Sequence, residues 1–69
     1  MTDFEMLNAK IEETGMTIVK LCDRADIKRG TFYARMNGIG EFTASEIEGI
    51  TRVLKLTRKQ RDDIFFCKS

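Results

Sequence analysis

Five residues on the faces that a short helical pattern leaves free beside its apolar pair carry the chemistry most open to this chain: Lys28, Arg29, Gly30, Tyr33 and Ala34. An arginine in the first turn of a helix offers two parallel N–H donors. These match O6 and N7 of guanine, the commonest specific contact between a side chain and a base. Lys28 beside it brings an ammonium group to a base edge or a phosphate. Tyr33 offers its ring to a thymine methyl group or its hydroxyl to a phosphate. Gly30 and Ala34 point outward on a wheel anchored at Phe32 and leave the backbone uncovered, so the helix can lie close to a nucleic acid. A second set, Thr17, Lys20, Asn37 and Gly38, suits phosphate oxygens: Lys20 by its charge and Thr17 through the N–H groups of a helix start. Asn37 and Gly38 offer polar groups at the far end of the pattern. Each base-reading residue also has a plainer reading: a solvated Arg29, a tolerated Gly30, a Tyr33 ring packed over a turn.

Other chemistries find few residues to work with. Histidine is absent, so the commonest general base is missing. Cys22 and Cys67 lie far apart with no histidine near them, which is no metal-ligand spacing, and a cytoplasmic chain would keep both reduced. Gly38-Ile39-Gly40 is too short for a phosphate-cradling loop. Enzymatic activity, a cofactor, a metal and a small-molecule substrate are therefore not expected.

The elements that position the candidate residues follow from periodicity. Ile18, Leu21, Cys22 and Ala25 fall on one helical face, Asp26-Ile27 supplies a polar turn and an aliphatic plug, and Phe32 and Met36 form a second apolar pair. Asn37-Gly38 closes the stretch with residues that accept left-handed angles. Helix, tight turn and helix over about 17–37, with a basic and small-residue outer face, is the pattern of a DNA-reading motif. Before it, a helix over about 3–14 turns Phe4, Leu7 and Ile11 inward, with Gly15 as its stop signal. After it, a helix over 44–55 buries Ile47, Ile50 and either Val53 or Leu54, and a last helix starts after Thr57 and ends in Ile64-Phe65-Phe66. Capping boxes begin at Thr2, Thr43 and Thr57, and Phe42 can staple onto Ile47. Strand-like alternation is absent, so the expected fold is all-α: one compact five-helix domain over 1–69.

Sixty-nine residues, 42% hydrophobic and 33% charged, fit one small globular domain with no room for a separate catalytic one. No stretch is apolar for long enough to span a bilayer, and no signal peptide opens the chain, so the expected compartment is the cytoplasm. The net charge is only +1, but it is unevenly spread: −3 over 1–16, +3 over 17–37, −3 over 38–50, and five basic residues with no acid over 51–61. Positive charge thus collects on the helix-turn-helix stretch and on Arg52, Lys55, Arg58, Lys59 and Arg61. Arg52 and Lys55 complement a helix C-terminus, and one or two of these five at most are expected at phosphates. Arg35 leans toward the core side, where a local ion pair or a backbone contact suits it better than a base.

Thr31-Phe32-Tyr33, Asn37-Gly38 and the aromatic end Phe65-Phe66 together resemble the small phage repressor and Cro-like helix-turn-helix family, the lambda-repressor-like DNA-binding domains of XRE type. The similarity runs from Leu7 to Phe66. It implies double-stranded operator DNA as partner, a homodimer on a palindromic site, and a bacterial host cytoplasm. It also implies a dimer contact through the last helix, at Ile64, Phe65 and Phe66. The rival expectation is a protein-interaction module, an anti-repressor or antitoxin-like partner of a larger phage repressor or a toxin. Three positions depart from the family pattern. Ile18 stands where a phosphate-holding glutamine is usual, Asp26 where the turn usually has glycine, and Lys28 where a serine usually caps the reading helix.

Overall fold

The computed structural model describes residues 2–66 and holds five helices: α1 (Phe4–Thr14), α2 (Ile18–Ala25), α3 (Arg29–Met36), α4 (Ala44–Leu54) and α5 (Arg58–Phe65). Among the described residues there is no strand. Cys67 lies outside them.

Side-chain oxygens start four of the five helices. Thr17, Thr43 and Thr57 each accept from the N–H three residues on, and Glu46 and Gln60 complete two capping boxes by reaching back. The expected cap at Thr2 is displaced by one residue: Asp3 is the N-cap, and its Oδ1 accepts from the Met6 N–H at 3.0 Å. A carboxylate is at least as good a cap as a hydroxyl and its charge suits the positive end of the helix. The Asp3 N–H in turn donates to the Ile64 carbonyl at 2.6 Å, which ties the start of α1 to α5. At α3 the Lys28 side chain makes no capping bond, so this helix begins without a side-chain acceptor.

Three of the helix ends share one device. At the end of α2, Asp26 takes left-handed angles (φ 59°), and the Ile27 N–H donates back to the Cys22 carbonyl at 2.9 Å. Lys55 (φ 54°) and Leu56 repeat this at the end of α4, and Gly38 (φ 82°) and Ile39 repeat it at the end of α3. This six-to-one closure satisfies orphan carbonyls and carries an apolar residue just beyond the turn. Ile27 and Leu56 bury that residue in the core, whereas Ile39 leaves it exposed.

The core gathers one face of every helix, with Leu7, Leu21, Phe32, Ile50 and Ile64 almost wholly shielded from water. Phe32, Phe42 and Phe65 form an edge-to-face series with centroids 5.8 and 5.5 Å apart, joining α3, the following loop and α5. Two of the three residues expected at a dimer contact, Ile64 and Phe65, are therefore buried within the single chain and unavailable to a partner. Helical geometry explains the split, because adjacent positions lie about 100° apart and only one of Phe65 and Phe66 can face inward. Phe66 is the one left outside, 55% exposed.

Helices α2 and α4 pack against each other most extensively, and an added Cβ at Gly49 would lie 2.8 Å from the Ala25 carbonyl oxygen. That oxygen is backbone and cannot step aside without moving the end of α2. Gly49→Ala should therefore destabilise the fold by about 1–3 kcal/mol despite alanine's better helix propensity. Urea denaturation checks this, and an unchanged midpoint would mean that the crossing is loose.

Candidate nucleic-acid interface

Thr17, as N-cap, leaves the first N–H groups of α2 facing out, and its Oγ1 accepts from the Lys20 N–H at 3.2 Å. The buried run of Leu21, Cys22 and Ala25 holds α2 down, and the left-handed Asp26 then reverses the chain within three residues. Lys28 and Arg29 consequently return beside the start of α2. Thr17, Lys20, Lys28 and Arg29 line one open concavity of about 610 Å³, together with Val19, Cys22, Asp23 and Ile27. Three cations face one acid across this hollow.

The remaining expected residues extend away from it along α3. Gly30 and Tyr33 are exposed, and Ala34 is half-buried rather than fully outward. Asn37 and Gly38 are exposed at the far end, about 12 Å along the axis from Arg29 at 1.5 Å per residue. Gly38 lines a separate hollow with Arg35 and Gly40. The candidate residues thus form a strip along α3 with a concave, basic head, not a single pocket.

Burial pushes the Cys22 thiol above its ordinary range, while the positive charge of Arg29 pulls it the other way. The thiol is therefore a packed, protonated group unsuited to nucleophilic work. Arg35 is occupied as expected. Its Nε lies 3.4 Å from Glu46 Oε1, and one terminal nitrogen donates to the Ile39 carbonyl at 3.3 Å. Glu46 Oε1 also accepts the Thr43 N–H at 2.9 Å, so one carboxylate caps α4 and anchors the end of α3.

In the second basic block, Lys59 pairs with Asp63 at 3.3 Å and Arg61 with Asp62 at 2.9 Å. Arg52 donates to the Arg24 carbonyl at 3.4 Å, at the C-terminal end of α2, in addition to complementing its own helix. Lys55 and Arg58 are exposed. Sequence reasoning passed over Val19, which lies off the Ile18–Leu21–Cys22–Ala25 face. A helical wheel places it outward, so its 53% exposure was open to view.

Among the described residues no group of acids, cysteines or histidines could hold a metal ion, and no helix is long and apolar enough to cross a membrane. Comparison with family models, curated proteins and solved structures finds no match.

A Cβ at Gly30 would meet nothing within 4 Å, so nothing inside the fold requires glycine there. Gly30→Ala should raise stability by about 0.5–1 kcal/mol in thermal denaturation. If the α3 backbone lies against a nucleic acid, the same substitution should weaken DNA binding. Stabilisation with binding unchanged would show that close approach is not used.

Proposed function

We propose that this chain is a sequence-specific DNA-binding transcription regulator of phage repressor or Cro type, with α3 in the major groove of an operator. The observation that carries this reading is the joint placement of two helix starts and three cations, Lys20, Lys28 and Arg29, on one open concavity. Helix starts favour anions through their unpaired N–H groups, and lysine and arginine displace counterions from the backbone. In this reading Lys20 and the N–H groups after Thr17 hold a phosphate. Arg29 takes a guanine edge, and Tyr33 reaches a thymine methyl group or a phosphate. Lys28 reads or steadies beside Arg29, and Asn37 and Gly38 meet the backbone past the end of α3. Because Arg35 is held by Glu46, it is left out of the reading set.

The protein binds a palindromic site as a homodimer, which sets two copies of α3 about 34 Å apart. Phe66 is the exposed aromatic group at the C-terminal end that suits this contact. A second reading, docking on a larger repressor or a toxin, is favoured by Ile39 and Tyr33, both exposed at α3 and its end.

Arg29→Ala should cost about 1–3 kcal/mol at a selected operator and relax the preference for one base pair. Lys20→Ala should weaken specific and non-specific binding alike and make the salt slope shallower by about one unit. Titrations at several salt concentrations separate the two. An Arg29, Tyr33 double alanine variant that folds and keeps full sequence discrimination contradicts DNA reading by α3.

The C-terminal aromatics should divide cleanly as well. Phe65→Ala should destabilise the domain by about 3–5 kcal/mol. Phe66→Ala should leave the denaturation midpoint almost unchanged while lowering the dimer fraction on operator DNA in sedimentation. Equal loss of stability in both variants would count against the assignment of Phe66 to a second copy.

A further inference from the structure

Four residues of α2 are exposed, Val19, Lys20, Asp23 and Arg24, and Val19 alone among them is apolar. It does not stand on a greasy patch of its own. It lines the same hollow as Lys20, Lys28 and Arg29, above the buried Ile27, with Asp23 as the single acid. The valine side chain has no donor to offer a phosphate, and an exposed aliphatic group on a cationic face gains nothing from water. What would cover it must be apolar at one point and strongly anionic around it. Duplex DNA meets both demands in its major groove, where the C5-methyl of thymine is the one apolar group on a base edge and phosphates flank it.

We infer that Val19 packs against a thymine methyl group adjacent to the guanine taken by Arg29, so that α2 as well as α3 contributes to sequence choice. This rests on the DNA-binding reading above. Both side chains line one concavity, so the expected site has a T·A pair close to the G·C pair on the same half-site. Discrimination of this kind needs no hydrogen bond from α2, whose second residue supplies only shape and an aliphatic surface.

The test starts from duplexes selected from a random-sequence pool by the full chain. Failure to enrich any sequence overturns the DNA-reading proposal itself, separately from the role of Val19. With an enriched duplex in hand, each thymine is replaced in turn by deoxyuridine, which removes only the methyl group. The expected result is one thymine per half-site whose replacement lowers affinity about fourfold, the worth of one buried methyl-sized group. Val19→Ile should keep that sensitivity. Val19→Ala should bind the thymine duplex more weakly and no longer distinguish it from the uracil form. Circular dichroism should show all three proteins folded, since the position is exposed and alanine favours a helix. Insensitivity at every thymine, or an equal uracil penalty in wild type and Val19→Ala, overturns the inference. The second outcome gives the methyl contact to another residue, and a Val19→Ala protein indistinguishable from wild type on all these duplexes leaves Val19 to a protein partner.

Discussion

Burial of Phe32 sets the rotation of α3 about its own axis, and the outer face of the molecule follows from it. The ring has no solvent exposure and is gripped at its edge by Phe42, which meets Phe65 in turn. With one residue of an eight-residue helix locked inward, the rest have no freedom of choice. Gly30 and Ala34 fall nearly opposite, and Arg29 and Tyr33, four apart, share one flank. A different residue buried at the centre of α3 would rotate every candidate contact away from its place. Core packing and the make-up of the outer face are thus set by the same side chain.

Holding α2 is a separate problem, in which backbone contacts add to the buried Leu21, Cys22 and Ala25 side chains. Gly49 lets α4 approach the end of α2 closely, Arg52 reaches the Arg24 carbonyl, and the Ile27 N–H closes the turn on Cys22. The α2 start and the α3 start are consequently fixed relative to each other. A basic hollow between two helix starts keeps its shape only if neither can swing. Glu46 adds the same service at the other end of α3, serving its own helix cap and Arg35 together. Preorganisation of this kind reduces the ordering cost of binding.

Much of this was legible in the chain. The threonine caps, the left-handed Asp26 and the inward Phe32 follow from local rules that tertiary contacts did not override. Arg35 could be set aside from its angular position alone. Less visible was the end of α4, where Lys55 takes left-handed angles without being glycine or asparagine, because the buried Leu56 makes the turn worthwhile. The cap at Asp3 was hidden by an equally good threonine one residue earlier. Phe65 and Phe66 could be recognised as opposed but not sorted, since that depends on the ring of Phe42, far away in sequence. Val19 carries no charge and sits beside Lys20, so only its place on the helical wheel marks it as exposed.

Whether the face joining the starts of α2 and α3 is the one that meets DNA is the central question. Backbone amide shifts of the isotopically labelled chain, followed by NMR during titration with a duplex selected from a random-sequence pool, address that directly. The prediction is that the largest changes fall on residues 17–20 and 28–33, diminish at high salt, and leave the outer face of α1 unmoved. Shifts centred on α1 or on the exposed Phe66 end, with 17–20 and 28–33 silent, would contradict it.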